Sequence, residues 1–264
     1  MRHLIKQMDA PVILAQGLSK TYTSKVLNNI NLNIGSGQII GYIGPNGAGK
    51  STTIRILTGM IEDFEGDVYV LGLDIRREPI AIKRQIGYIP ENAALYETLT
   101  PLEYLMFIGQ LYGMKPQRIE SKARELMAVF GMADHLDNRM SGFSKGMRQK
   151  VLLIGGMIHN PSILFLDEPL SGLDANSVIL VKEILTQLKQ SGKTIFYSSH
   201  IMDVVEKISD RIIIINKGEV IADGTFAELS RQANSGSLEK LFTQLTGDHG
   251  HESTAGHFID ILEN

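Results

Sequence analysis

The 264-residue sequence contains no cysteine and no tryptophan. The absence of cysteine excludes disulfides, thiolate catalysis and cysteine-ligated zinc sites, and it suits a reducing compartment such as the cytoplasm. No apolar run approaches the roughly 18 to 20 residues that cross a bilayer, and the N-terminus lacks the apolar core of a secretion signal. If this chain works at a membrane, we expect another protein to recruit it there.

Neither sign of charge is in large excess. The chain has 26 Lys and Arg residues and 29 Asp and Glu residues, which gives a net charge of −3. This balance provides no overall reason to expect a nucleic-acid partner. Hydrophobic residues make up 43% of the chain, an ordinary share for a globular protein. The length allows one large domain or two small ones with a sizeable core.

The apolar patterns predict an α/β fold. Near-alternating apolar residues over 11–37 predict strands of a small antiparallel N-terminal sheet. Short buried strands at 38–44, 162–167 and 194–200 alternate with helical segments, which predicts a core built on a mainly parallel, doubly wound sheet.

Two further regions depart from this alternation. Three helical segments between about residues 100 and 160 have almost no strand signal between them, which predicts an inserted α-helical lobe. Residues 231–264 combine one short amphipathic helix with a polar linker, so we expect a domain over 1–230 and a variable tail. His249 and His251 lie in that linker, where a solubilising role is favoured over a metal site.

A glycine-rich loop follows the strand at 38–44 and opens a helix. Its sequence, GPNGAGKST, fits the P-loop pattern and predicts a core of the P-loop NTPase type. Glycines let the backbone curl so that N–H groups converge on phosphate oxygens, and the helix N-terminus adds partial positive charge. Lys50 is suited to the β- and γ-phosphates and Ser51 to Mg²⁺. The predicted phosphate-binding residues are Gly44, Pro45, Asn46, Gly47, Ala48, Gly49, Lys50, Ser51 and Thr52.

A P-loop alone leaves kinases, GTPases and motor ATPases open. A GTPase normally carries an Asn-Lys-x-Asp motif that reads guanine, and NKGE at 216–219 resembles it only superficially because its last residue is Glu219. The segment lies between two β-rich runs, so we interpret it as a hairpin turn. GTP is therefore disfavoured.

A carboxylate pair follows the buried strand ILFL. Such a strand delivers Asp167 and Glu168 to the carboxyl edge of the sheet, where α/β proteins bind ligands. Asp167 is suited to hold Mg²⁺ through water. Because adjacent strand residues point in opposite directions, we assign Glu168 the separate role of orienting and activating the attacking water.

Three other features accompany these motifs. His200 ends the strand at 194–200, at the same predicted edge, and is a candidate for a γ-phosphate contact. Tyr22 ends the first strand, where its ring can stack on adenine or pack within the fold. In the stretch SGFSKGMRQK, Ser144 can cap a helix, and the turn directs a hydroxyl, a lysine and backbone N–H groups outward.

Taken in order over residues 11–230, these motifs resemble the nucleotide-binding subunit of an ATP-binding cassette (ABC) transporter. The resemblance implies ATP and Mg²⁺ as cofactors, ATP hydrolysis, and dimerisation with a second copy or a homologous subunit. It also implies that Ser144 and Gly146, in the signature motif at 143–147, contact the γ-phosphate of ATP held by the P-loop of the other copy. Separate integral membrane permease subunits would hold the chain at the cytoplasmic face of the membrane.

Two motifs depart from the family pattern. FSKGM replaces the usual Leu-Ser-Gly-Gly-Gln signature, so Lys145 can add charge near the phosphate and Met147 cannot make the contacts of a glutamine amide. Glu91 stands where the family has the Q-loop glutamine that reaches Mg²⁺ and the attacking water. Both departures are reminiscent of the branch serving ABC-2-type exporters, and this resemblance favours export. The family resemblance also implies that a permease helix docks in the groove between the core and the helical lobe, near residues 91–112.

Two alternative functions are compatible with parts of the pattern. One is a soluble ABC ATPase acting on DNA, ribosomes or Fe–S assembly. The single P-loop, the lack of a basic arm and the short spacing between Lys50 and Ser144 disfavour it. The other is an ATP-binding module without turnover, which the altered signature and Glu91 favour. The complete set of chemical residues disfavours this module: Lys50, Asp167, Glu168 and His200.

Overall fold

A computed structural model describes residues 10–91, 95–233, 235–247, 258 and 261–262. The strands in chain order are β1 (Ile13–Thr21), β2 (Lys25–Ile34), β3 (Ile39–Ile43), β4 (Glu65–Val70), β5 (Leu73–Asp74), β6 (Ile86–Ile89), β7 (Ile163–Asp167), β8 (Thr194–Ser198), β9 (Arg211–Asn216) and β10 (Glu219–Gly224). The α-helices are α1 (Lys50–Leu57), α2 (Pro79–Lys83), α3 (Pro101–Leu111), α4 (Pro116–Val129), α5 (Lys145–Met157), α6 (Ala175–Gln190), α7 (Met202–Ile208), α8 (Phe226–Ala233) and α9 (Leu238–Thr246).

The strands form two sheets, as the sequence predicts. The N-terminal sheet has the order β2-β1-β4-β5 and is antiparallel throughout. The central sheet has the order β10-β9-β3-β8-β7-β6, and its strands are parallel except for the β9–β10 hairpin. Because β3, β8 and β7 are adjacent and parallel, their carboxyl ends lie side by side at one edge.

The central sheet is buried on both faces. In β7, Leu164 and Leu166 pack in one hydrophobic cluster with the helical lobe, whereas Ile163 and Phe165 pack in a second cluster with the antiparallel sheet. Successive side chains of a strand point to opposite faces, so a sheet covered on both sides requires an apolar residue at every position. This burial explains the continuous apolar runs in the sequence.

The predicted helical lobe is made of α3, α4 and α5. Helix α3 begins with a capping box in which Thr100 Oγ1 accepts from Glu103 N (3.2 Å) and Glu103 Oε2 accepts from Thr100 N (2.9 Å). Helix α4 begins at a proline after Lys115, and α5 is capped by Ser144. These residues fix where each helix starts, and the signature turn lies at the start of α5.

The elements that were not predicted from the sequence include α2, β6, α7 and α8. The short helix α2 and the strand β6 precede Glu91, and β6 extends the central sheet by pairing with β7. Helix α7 follows His200 and buries Val204 and Val205 against the core. Strand β6 therefore places Glu91 at the same sheet edge as the other predicted site residues.

Helices α8 and α9 pack on the main core through Leu229, Leu238 and Leu241. The predicted boundary at residue 230 falls within α8, and the predicted amphipathic helix is α9. Leu238 and Leu241 of α9 belong to the same hydrophobic cluster as the helical lobe, and Glu206 Oε2 accepts a hydrogen bond from Leu238 N (2.9 Å). The division between domain and tail stays a prediction, and His249 and His251 lie outside the described residues.

In the part of the chain that the structure describes, we find no helix both long enough and apolar enough to cross a bilayer.

Candidate active site

A cavity of about 680 Å³ opens at the carboxyl edge of β3, β7 and β8. The cavity brings together residues that are distant in sequence, from the P-loop to His200, which follows β8. The residues that line it are Val26, Asn46, Gly47, Gly49, Lys50, Ser51, Thr52, Glu91, Asp167, Glu168 and His200.

The P-loop curls between β3 and α1 in a conformation that requires glycine. Gly47 and Gly49 have φ values of 78° and 110°, and a Cβ atom on Gly49 would lie 2.5 Å from Cδ2 of Leu27. Both conditions exclude other residues at position 49. The first turn of α1 contains no acidic residue. Its N–H groups and partial positive charge therefore face the cavity without competition from a carboxylate, which suits a phosphate.

Lys50 lies between carbonyl oxygens and carboxylates. Its ammonium donates to the carbonyl oxygens of Gly44 (2.6 Å) and Pro45 (3.1 Å), which themselves do not line the cavity. Burial lowers the pKa of Lys50, while the nearby carboxylates, of which Glu168 has the largest effect, act to raise it. The lysine is thus a partly desolvated cation at the cavity wall, where its attraction for an anion is stronger than in water.

The hairpin predicted at 216–219 packs against the P-loop and forms a backbone hydrogen bond with it. Lys217 and Gly218 form its turn with φ values of 48° and 81°. Gly218 N donates to the carbonyl of Ala48 (3.0 Å), and Asn28 N donates to the carbonyl of Gly218 (2.8 Å). The predicted turning role of the hairpin is confirmed, because both central residues adopt the left-handed conformation of a tight hairpin turn.

Asp167 and Glu168 face the same cavity. The sequence prediction that they point in opposite directions is wrong, because only Asp167 belongs to the strand. Glu168 has a left-handed backbone with φ of 50°, and its N–H donates to the carbonyl of Ser198 (3.0 Å). The alternation of a strand therefore ends at Asp167, and both buried carboxyl groups reach the cavity.

Two neighbours hold the Glu168 carboxylate. His200 Nδ1 lies 2.8 Å from Oε2 of Glu168. Ser199 donates to the same oxygen (3.2 Å), and its Oγ accepts from Ile201 N (3.1 Å). Sequence reasoning missed Ser199, although its position at the end of β8 next to His200 was a usable signal. The contacts fix one carboxylate oxygen and leave the other to act on a ligand.

We expect Ser199→Ala to lower kcat for ATP about tenfold, with little change in KM. The reason is the loss of a hydrogen bond to a charged group, a contact worth about 1.5–3 kcal/mol, that orients Glu168. Ser198→Ala is the matched control, because Ser198 Oγ is buried without a hydrogen-bond partner. Steady-state kinetics of both variants checks this. Equal effects of the two substitutions would contradict a positioning role for Ser199.

Several predicted site residues lie outside the cavity lining. Tyr22 is 55% exposed, and Lys20 Nζ lies 4.7 Å from the centre of its ring. Val26, on the neighbouring strand β2, lines the cavity instead. Ser144 accepts from Met147 N (3.2 Å) as the helix cap of α5, and neither it nor Gly146 lines the cavity of its own chain. The adenine-stacking and signature roles stay predictions.

The donor set at the cavity fits Mg²⁺. The Ser51 hydroxyl and the carboxylates of Asp167 and Glu91 line the same wall, beside the P-loop. Mg²⁺ is held in such proteins by one or two side-chain oxygens together with substrate phosphates and water. Within residues 10–91, 95–233 and the other described positions, we find no cluster of three or more metal-ligating side chains. A cation at this wall would therefore depend on the phosphates of the nucleotide.

The fold and the cavity define a P-loop nucleotide-binding protein. Comparison with known proteins identifies the family. The family described as ABC transporter matches residues 27–171. The ABC transporter ATP-binding protein NatA of Bacillus subtilis is 38% identical, over 83% of this chain and 89% of NatA. The linearmycin resistance ATP-binding protein LnrL of the same organism is 35% identical, over 87% of this chain and 74% of LnrL.

Comparison with solved structures leads to the same family. An ATP-binding subunit of an ABC transporter superposes with a TM-score of 0.84 at 33% identity, covering 89% of this chain and 99% of the other. A dimeric post-hydrolysis structure of the ATP-binding cassette MJ0796, bound to ADP and Pi, has a TM-score of 0.76 at 26% identity and covers 81% and 98%. The chain belongs to the ABC transporter family. It is the ATP-binding subunit of an ABC transporter, and it is an ATPase.

Proposed function

We propose that two copies of the chain enclose two ATP molecules, each held by the P-loop of one copy and covered by the signature turn of the other. The observation that carries this proposal is the separation of the two motifs. The P-loop, the carboxylates and His200 line one cavity, whereas Ser144 and Gly146 do not take part in it. The dimeric state of the related cassette MJ0796 supports the same arrangement.

The predicted site residues have separate roles in this proposal. Backbone N–H groups of Gly44 and of residues 46–52, together with the Lys50 ammonium, bind phosphate oxygens, and Tyr22 stacks on the adenine. Ser51, Asp167 and Glu91 hold Mg²⁺, which neutralises phosphate charge. Glu168, held by Ser199, accepts a proton from the water that attacks the γ-phosphate, and His200 contacts that phosphate. ADP and phosphate leave when the two copies separate.

We propose export as the direction of transport, through separate permease subunits at the cytoplasmic face of the membrane. The name of LnrL, a resistance protein, supports export. The names of NatA and LnrL, which describe ATP-binding proteins, support a permease formed by separate subunits. An exposed apolar surface on α3 and the segment before it suits a permease contact. Tyr96, Phe107 and Leu111 are 61%, 43% and 67% exposed, and the first two rings are 6.1 Å apart.

The dimer is tested by the dependence of turnover on protein concentration. We expect ATP hydrolysis per chain to rise with concentration and to level off as the dimer forms, because a lone copy lacks the second half of each pocket. Sedimentation with ATP and Mg²⁺ is expected to show a larger species than sedimentation with ADP, which is the control. Constant turnover per chain over the whole concentration range, by a species that stays monomeric, would overturn the proposal.

A further inference from the structure

The first turns of α5 pack closely against residues 169–174 of the same chain, the segment that follows Glu168. Gln149 is buried and donates from Nε2 to the carbonyl of Pro169 (2.9 Å). A Cβ atom on Gly146 would lie 2.5 Å from the carbonyl oxygen of Gly172, so the two backbones meet without an intervening side chain. Lys150 Nζ lies 3.5 Å from Asp174 Oδ2. The signature helix and the 169–174 segment therefore form one packed unit.

Lys145 is the outermost contact of this unit. Its ammonium donates to Ser171 Oγ (2.7 Å). Its methylene groups lie along Gly172, where an added Cβ would be 2.9 Å from both Cγ and Cδ of the lysine. Gly172 also has a φ of 79°, which favours glycine at this position. The backbone of the 169–174 segment is thus shaped to accept the lysine stem, and the stem directs the charge toward Ser171.

Ser171 is one hydrogen bond away from Glu168. The N–H of Ser171 donates to the carbonyl oxygen of Glu168 (3.1 Å), which closes the turn after the carboxylate. A continuous series of contacts therefore runs from Lys145 in the signature turn, through Ser171, to the backbone of Glu168. Its two ends serve different ATP molecules if the signature turn covers the nucleotide of the other copy.

We infer that Lys145 is a positioning residue. It holds the 169–174 segment, and with it Glu168, at a fixed position relative to the signature turn of its own chain. This inference rests on the proposed two-copy site. It also replaces the simpler expectation that Lys145 is a cation for the partner's γ-phosphate, since the ammonium is engaged by Ser171. The signature turn that covers one ATP and the carboxylate that acts on the other are thereby held at a constant distance within one chain.

A double-mutant cycle of Lys145 and Ser171 tests this. We expect Lys145→Met and Ser171→Ala each to lower kcat about three- to tenfold, with KM for ATP changed less than about twofold, because groups in contact show coupling of this size. The double variant is expected to be no slower than the slower single variant. Lys145→Arg, which keeps a cationic donor of similar reach, is expected to restore most of kcat. Thermal unfolding of every variant verifies that each one is folded.

The outcomes separate the two proposals. Ser171→Ala with the kcat of the unaltered chain, or losses that multiply in the double variant, would overturn the role of Lys145 as a positioning residue. A large rise in KM for Lys145→Met alone would assign the lysine to the phosphate instead. An unaltered chain whose turnover per chain does not depend on protein concentration would overturn the two-copy site itself, and the inference with it.

Discussion

Glu168→Gln is expected to lower kcat for ATP about 10²- to 10⁴-fold, the range of general base catalysis, while ATP binding persists. Glutamine has nearly the same shape, and its side-chain oxygen can still accept from Ser199. It cannot accept a proton from the attacking water. Because hydrolysis releases the closed dimer in the proposed mechanism, we also expect the variant to accumulate as a dimer with bound ATP. Single-turnover kinetics and sedimentation with ATP and Mg²⁺ check both results.

Glu91→Gln is the matched control. It makes the same carboxylate-to-amide change at another residue that lines the cavity, and it creates the amide that the family usually has there. Glu91 is exposed, and its carboxylate contributes negative charge next to Lys50 rather than a fixed contact to Glu168. We expect Glu91→Gln to retain turnover within about tenfold, since an amide oxygen can also ligate Mg²⁺. A Glu168→Gln variant that hydrolyses ATP as fast as this control would remove the general base from the mechanism.

The parts of the site that are contiguous in sequence could be predicted. The P-loop is one: nine successive residues, with a strand before them and a helix after them, contain all the information needed for its conformation. The carboxylate pair is another, since a short continuous apolar run such as that of β7 is typical of a strand buried on both faces. Alternation of strands and helices likewise predicts a parallel sheet whose carboxyl edge carries the polar residues.

Contacts between distant segments could not be predicted in the same way. Ser199 meets Glu168 because β8 lies beside β7, an order that the sequence does not state. The left-handed backbone of Glu168 is imposed by the turn that follows the strand, whereas strand periodicity predicts the opposite orientation. Val26 lines the cavity, whereas Tyr22, four residues earlier in the chain, is exposed and does not.

The C-terminal region illustrates the same limit. The periodicity of α9 predicted an amphipathic helix, and the structure confirms it. Periodicity does not indicate which surface the helix covers, so the sequence alone predicts only a variable tail. In the structure Leu238 and Leu241 are buried in the same hydrophobic cluster as the helical lobe. A helix that contributes to the main core is expected to be required for stability even if it has no part in the chemistry.

Mixing two inactive variants is expected to restore ATP hydrolysis if each pocket is built from two copies. Lys50→Met removes the P-loop cation and leaves the signature turn intact. Ser144→Asp keeps an excellent helix cap for α5 but places a negative charge where the partner's γ-phosphate would lie. In a mixed dimer one pocket combines the unaltered P-loop with the unaltered signature turn. With random pairing of equal amounts, about a quarter of all pockets become complete.

Ser144→Asn is the matched control, because asparagine caps a helix as well as aspartate does and carries no charge. We expect it to retain far more turnover alone than Ser144→Asp, which separates repulsion of the phosphate from loss of the cap. Turnover is measured for each variant alone and for the mixture after mass analysis has verified that mixed dimers form. If Ser144 acted on the nucleotide of its own chain, every pocket in the mixture would stay defective. A mixture of verified mixed dimers that remained as inactive as its components would therefore exclude a signature turn that works across the dimer.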